Sequence, residues 1–338
     1  MQKLISIITP TYNCGHLIHR LLNSVLNQTY NNIEMFVIDD GSTDNTRMII
    51  DGYFKKFNDK GYAFHYVYQD NQGQSAALNS GLKLIKGDYL VWPDADDWYA
   101  EPNSLEILVT ALDDADADVS CVRCLSYYVC EKTLDIVRKV EFNENQYLFE
   151  DCLFFTNDFF WGAGNYIIKV QLLFNEITER SIPFEEDAGQ NPQILLPILF
   201  GYKCITINKY LHNILRRSDS HCRKKLNYED NKNRHKAYLN ILIATLNNIK
   251  SISEKEKKYL IRKIKRNVSI MLFKTSYYFG KTEEVKDIYE QMVVENMAIS
   301  KKIKIIYYMA FIPCGFAMLK IFQCMYKKIV IYLLKNSK

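Results

Sequence analysis

The sequence predicts an α/β protein: a mostly parallel sheet flanked by helices, followed by a helical C-terminal extension. Two features of the first hundred residues point there. Short apolar runs alternate with amphipathic segments, which is the pattern of consecutive βαβ units. Polar clusters also follow three of the apolar runs directly, and in open parallel sheets ligands bind beyond the carboxyl ends of the strands. A third feature sets off the rest of the chain. After Asn227 the periodicity turns helical and lysine-rich.

Taken in order, Leu4–Thr9 reads as a first strand and Leu17–Leu26 as a helix. Ile33–Ile38 is the next strand, followed by a helix over Thr46–Phe57. Phe64–Tyr68 is a third strand, Ser75–Ile85 a helix and Tyr89–Trp92 a fourth strand. The middle of the chain is less regular. Asn103–Leu112 looks helical, Val119–Val140 reads as a hairpin, Gly162–Ile168 as a strand and Gln193–Phe200 as a short apolar helix. Glu254–Ser276 and Glu283–Met297 are amphipathic helices. The expected organisation is one α/β domain over 1–225 and a basic helical region over 226–338, with a soft boundary near Arg223–Glu229.

Composition narrows the classes. The 338 residues are 48% hydrophobic and 24% charged, ordinary for a folded chain of this length. A formal net charge of +4 is too modest to point to nucleic acid, although Lys and Arg are dense after Arg216. Nine cysteines at irregular spacing fit a reduced, cytosolic protein. Cys121 and Cys124 lie in a strand-like run without a second pair at metal spacing, so they read as core cysteines. The opening MQKLISIITPTYN is too short in its apolar run for a secretory leader and fits a strand.

The densest chemistry is LVWPDADDWY, which sets Asp94, Asp96 and Asp97 at the end of the fourth strand. Oxygen-only donors suit Mg2+ or Mn2+, which use one or two carboxylates and complete their shell with water and substrate phosphates. Alternate residues of an extended chain face one side, so Asp94 and Asp96 can share a cation. A solvated, helix-capping turn is the competing reading. Asp39-Asp40-Gly41-Ser42-x-Asp44 follows the second strand. There Gly41 permits a positive φ and Asp44 can cap the next helix, but the paired aspartates call for another task.

Together, ISIITPTYNCGHLIHRLLNSVLNQTYNNIEMFVIDDGSTDNT and NQGQSAALNSGLKLIKGDYLVWPDADDWY resemble glycosyltransferase family 2 in order and spacing over roughly residues 3–100. The resemblance implies the Rossmann-like GT-A fold, a UDP-sugar donor, Mn2+ or Mg2+ and, usually, inversion at the anomeric carbon. Carried over, it makes Pro10 and Tyr12 part of a nucleobase pocket and Asp40 the reader of a uracil-type base. Asp94 and Asp96 become the Asp-x-Asp that meets ribose and metal, and Asn79 belongs to the Asn-x-Gly helix. Arg217 and Ser220, in LRRSDSHCR, resemble an Arg-x-x-Ser element that closes over the diphosphate, the behaviour of a lid. Trp161, Gly162 and Gly164 suit stacking on a sugar face, or equally a core tryptophan beside a tight turn.

The sequence departs from the family pattern twice. Leu78 stands where many members carry Arg before the Asn-x-Gly. Gly189-Gln190-Asn191 aligns with a Gly-Glu-Asp whose carboxylate takes the acceptor's proton, and an amide cannot act as that base. Asp187 is then the first candidate and Glu186 the second, with neither as the remaining reading. A sugar nucleotidyltransferase finds no support, because no Gly-rich, basic loop follows the first strand. The expected activity is sugar transfer to a glycan or lipid-linked acceptor in surface polysaccharide synthesis, and a catalytically silent nucleotide-sugar binder is the alternative.

The expected location is the cytoplasm, at the inner face of the membrane. Ile305–Leu319 and Ile329–Leu334 are apolar and flanked by lysines. The longer run is interrupted by Pro313 and Gly315 and falls short of the roughly 20 residues a membrane span needs. It reads as a lysine-rimmed interfacial segment or, alternatively, as a buried helical pair.

Overall fold

The computed structural model describes residues 2–142, 145–185, 189–217 and 226–312. They divide into two compact units. The first holds the described residues up to 217 together with Asn240–Lys257, and the second holds 226–239 and 258–312.

The first unit begins with four strands linked by three βαβ-type steps. These are β1 (Ile5–Thr11), α1 (His19–Leu26), β2 (Ile33–Asp40), α2 (Thr46–Asp51), α3 (Phe54–Asp59), β3 (Ala63–Gln69), α4 (Gln74–Leu82) and β4 (Tyr89–Val91). All pairings among these strands are parallel, in the order β3-β2-β1-β4. Every residue of β1, β2 and β4 is buried, as expected for strands covered on both faces. Ile5, Ile7, Met35 and Val37 pack there with Leu21 and Leu22 of α1 in one core cluster.

The chain continues through β5 (Trp98–Tyr99), α5 (Ser104–Asp113), β6 (Val119–Cys130), β7 (Ile136–Val140), α6 (Phe149–Phe154) and β8 (Tyr166–Lys169). It then forms α7 (Val170–Glu176), α8 (Asn191–Leu199) and β9 (Lys203–Arg216). The sheet extends as β4-β8-β6-β9-β5, with β7 paired to β6. β8 is antiparallel to both β4 and β6, whereas β6 and β9 are parallel. The β6–β7 hairpin and the first four strands lie where the apolar pattern put them. Cys121 and Cys124 are fully buried in β6.

Several elements differ from the sequence reading: α6 and α7 were not expected, and the strand expected over Gly162–Ile168 starts only at Tyr166. The helix expected over Thr46–Phe57 is two helices, because Gly52 and Tyr53 donate to the carbonyls three residues back at 3.2 and 2.9 Å and tighten the chain into a turn. β5 is too short to leave a pattern. β9 is long but escapes notice because its register against β6 shifts around Cys124, Leu125 and Ser126, and each bulge breaks the alternation that identifies a strand.

α9 (Tyr228–Asn248) and α10 (Glu254–Tyr278) contribute residues to both units, while α11 (Thr282–Val294) and α12 (Lys301–Ala310) belong to the second. The core of that unit gathers Phe273, Val285, Ile303 and Ile306, with Tyr289 stacked on Tyr307 at 3.9 Å. Among the described residues no helix is long and apolar enough to cross a membrane. Residues 313–319 of the apolar C-terminal run, and all of Ile329–Leu334, lie outside the described residues.

One close approach fixes how α4 sits on the sheet. A Cβ on Gly81 would lie 2.5 Å from Ile8 Cγ2, inside a fully buried contact. Gly81→Ala is therefore expected to cost about 1–3 kcal/mol of stability through overpacking, read by urea denaturation. An unchanged midpoint would show that Ile8 yields without cost.

Candidate active site

The polar residues gather at the carboxyl ends of β1, β2 and β4. Two loops are woven together there. The Asn13 amide N–H donates to Ser42 Oγ at 2.9 Å, and Thr43 N–H donates to Asn13 Oδ1 at 2.8 Å. Asp44 accepts from Thr46 N–H at 2.9 Å and Gly15 N–H at 3.1 Å. Burial alone would raise the Asp44 pKa, but these donors and the Thr46 hydroxyl outweigh it and hold the carboxylate below its ordinary range. Asp44 thus covers the amide end of α2, as its position implied.

Tyr12 stands 50% exposed beside this weave, so one face of its ring is available for stacking, while Pro10 is buried within β1. Asp39 and Asp40 are both buried and both occupied. Asp39 accepts from Ser42 N–H at 2.8 Å and Tyr66 O–H at 2.6 Å. Asp40 accepts from Gln69 Nε2 at 2.7 Å, Gln72 N–H at 3.0 Å and Gly73 N–H at 2.7 Å. The Asp40 carboxylate therefore shapes the turn that enters α4, and a ligand would meet it through its remaining acceptor capacity.

The acidic turn after β4 is the electrostatic centre. Asp94 accepts from Gln74 Nε2 at 2.7 Å, and Asp97 N–H closes the turn onto the Asp94 carbonyl at 3.1 Å. Asp97 is buried and accepts from Leu215 N–H at 2.9 Å. Asp96 forms an ion pair with Arg217 Nη1 at 3.3 Å. Burial, and then the neighbouring Asp96 charge, push the Asp94 carboxyl up to about 7 despite the bond from Gln74. Burial, Asp96 and Asp94 in that order raise Asp97 well above the carboxylate range. Added to burial, the neighbouring carboxylates suppress one another's ionisation.

β9 delivers Arg217. Asn213 and His212 pair antiparallel with Trp98 and Tyr99 of β5, immediately after Asp97. The two strands run back on each other and bring residue 217 to Asp96. The LRR stretch was legible as a basic element, but the strand that carries it was not.

Other predicted positions hold the frame. The Asn79 amide makes two bonds to the Ile182 backbone, donating to the carbonyl at 2.9 Å and accepting from the N–H at 2.8 Å. Leu78 is fully buried, so the position that carries Arg in many relatives serves the core here. Gly164 has φ +79°, and a Cβ on it would meet His212 Nε2 at 2.5 Å and Pro93 Cβ at 3.0 Å, which only glycine relieves. His212 is fully buried and held neutral, its pKa lowered to about 3 by burial. Trp161 packs edge-on to Phe155 at 4.3 Å. Gln190 is buried, and the Asn191 amide is engaged with Trp92 and Trp161. Glu186, Asp187 and Ser220 lie outside the described residues.

A hard divalent cation fits this donor set. Asp94 and Asp96 offer oxygen only, the donor type such a cation takes. Among the described residues there is no group of three or more His, Cys, Asp or Glu that would cage a metal alone. Two carboxylates leave most of the shell to a phosphate-bearing ligand and water.

With the fold and this cluster in hand, comparison with known proteins is decisive for residues 6–172, which match the family model described as glycosyl transferase family 2. This chain carries a family 2 glycosyltransferase domain. Over 120 residues it is 38% identical to glycosyltransferase GlyG of Streptococcus pneumoniae serotype 4, covering 35% of this chain and 38% of that protein. Over 131 residues it is 33% identical to the putative glycosyltransferase EpsH of Bacillus subtilis, covering 39% and 37%. The matches thus span less than two fifths of these relatives. The crystal structure of S. aureus TarS in complex with UDP-GlcNAc superposes with a TM-score of 0.63 at 18% identity, over 90% of this chain and 86% of that one. The mannosyltransferase PcManGT from Pyrobaculum calidifontis, in complex with GDP-Man and Mn2+, gives 0.50 at 16% identity, over 94% and 87%. At such identities the likeness is one of fold, and the fold is GT-A, as the resemblance implied.

The raised Asp94 pKa carries a sign. The folded chain binds this proton more tightly than the unfolded chain, so the stabilisation is present at low pH. It is lost as pH rises from the ordinary carboxylate range through about 7. Asp94→Asn is expected to raise the melting temperature at pH 8 by a few degrees while abolishing any upward shift on adding Mn2+. Thermal scans at pH 5 and pH 8, with and without metal, check both. A lower melting temperature at pH 8 would refute the crowding argument.

Proposed function

We propose that this chain is a metal-dependent, inverting glycosyltransferase that moves a sugar from a UDP-sugar to a hydroxyl of a glycan or lipid-linked acceptor in surface polysaccharide synthesis. The observation that carries the reading is the Asp94–Asp96–Asp97 turn with Arg217 ion-paired to Asp96, at the same sheet edge as the exposed ring of Tyr12. The family match and fold neighbours solved with UDP-GlcNAc and with GDP-Man and Mn2+ support it.

In this reading Tyr12 stacks on the nucleobase, Pro10 backs it and Asp40 reads the base edge. Asn79 holds the helix against the segment at Ile182. Asp94 and Asp96 hold Mn2+ or Mg2+, which when bound offsets the charge of the diphosphate leaving group. Arg217, with Ser220, supplies further positive charge to that group. Asp187, or else Glu186, accepts the proton from the acceptor hydroxyl. The acceptor oxygen bonds to the anomeric carbon as the bond to the diphosphate oxygen breaks, UDP leaves with the electron pair, and attack from the opposite face inverts the centre.

Residues 1–225 are then the catalytic domain, and 226–338 hold the protein at the inner, cytoplasmic face of the membrane. In α12, Lys301, Lys302 and Lys304 are exposed beside exposed Ile305 and Tyr308, a pairing that favours an anionic lipid surface. Nucleic acid has no part in it. One observation favours a catalytically silent binder instead: Gln190 and Asn191 stand at the usual position of the base, and the Asn191 amide is already engaged.

The deciding measurement is UDP release from a panel of UDP-sugars, with and without Mn2+. Metal-dependent release from one donor is expected, with Asp96→Ala and Asp187→Ala each lowering kcat/KM by about 100-fold or more. Metal-dependent UDP binding without turnover, even with a lipid-linked acceptor extract, would give the silent reading the lead.

A further inference from the structure

The amide at the usual position of the base has a task of its own. Trp92 Nε1–H donates to Asn191 Oδ1 at 2.7 Å, and Asn191 Nδ2–H donates to the Trp161 carbonyl at 2.6 Å. The orientation of the amide is unambiguous, because an indole N–H only donates and a carbonyl only accepts. Trp92 is fully buried and leads directly into Pro93 and Asp94. Its ring lies on Tyr166, 6.5 Å between centroids and 20° between planes. The Tyr166 hydroxyl donates to the Phe160 carbonyl at 3.0 Å, one residue before Trp161. Gly164, from the same loop, closes against Pro93. The backbone that presents Asp94 is therefore tied to the 160–164 loop through Asn191 on one side and Tyr166 on the other.

We propose that Asn191 is a positioning residue that sets Asp94 for the metal–diphosphate through Trp92, which accounts for an amide where the family pattern has a carboxylate. An ionised Asp could accept from Trp92 but would face the Trp161 carbonyl with a second acceptor, and the bracket would open on that side. Only a side chain that both accepts and donates spans the two groups. The inference rests on reading Asp94 and Asp96 as the metal–nucleotide site. It adds that position 191 has been given over to holding that site rather than to moving a proton.

The test is a double-mutant cycle on the full chain, with UDP as probe in Mn2+ and in EDTA. Asn191→Asp keeps size and the acceptor, whereas Trp92→Phe keeps the ring and deletes the N–H. Each is expected to weaken UDP binding in Mn2+ by about tenfold, the scale of one lost buried hydrogen bond, with metal-free binding changed less than twofold. The double variant is expected to lose about as much as either single, not the product of the two. Should Asn191→Asp fail to fold, Trp92→Phe alone carries the comparison of Mn2+ with EDTA. Equal losses with and without metal, additive losses, or no loss would overturn the bracket while leaving the site reading intact. If the unmodified chain binds UDP no better in Mn2+ than in EDTA, the site reading fails, and the bracket falls with it.

Discussion

Three carboxylates within four residues, at the end of a buried strand, are the constraint that organises the rest of this fold. Burial first, and then their mutual repulsion, make Asp94 and Asp97 resist ionisation. Among the described residues, three neighbours in the first unit donate to them. Gln74 donates to Asp94, the Leu215 amide to Asp97 and the Arg217 guanidinium to Asp96.

The sheet makes that concentration of charge tolerable by dividing the labour. Its parallel half holds the strand ends in line, and the core beneath them is continuous from β1 to β4. The other, mixed half sends β5 and β9 antiparallel past each other, so that the turn is held by a strand more than a hundred residues away. Loop residues such as Asn13, Ser42 and Asp44 then lock the first two strand ends together with hydrogen bonds rather than apolar packing, which leaves the Tyr12 ring exposed.

The parallel half was legible because β1, β2 and β4 are buried on both faces and so read as uninterrupted apolar runs. The acidic turn and the Asp39–Asp44 loop were legible because so many carboxylates rarely serve packing alone. What the sequence concealed was long-range and polar. The bulges of β9 erased its alternation, so the route by which Arg217 reaches Asp96 could not be foreseen. The hold of Asn79 on Ile182 joins residues 103 apart, and no local pattern signals such a bond. Asn191 looked like a defect when judged against a carboxylate, and its purpose emerges only once Trp92 and Trp161 are seen on either side of it. Asp40 was marked for a base, yet its oxygens also build the turn at Gly73.

The antiparallel pairing of β5 with β9 has a bearing on how such chains change over time. Trp98 is paired with Asn213, and Arg217 must still arrive at Asp96. One residue inserted or deleted between 213 and 217 would displace the guanidinium along the strand by about 3.3 Å and turn it to the opposite face. Backbone pairing carries much of that stretch, although Leu215 is buried. Its length is not free to change. Distant relatives are therefore better aligned here by counting residues from the acidic turn's partner strand to the arginine than by matching side chains.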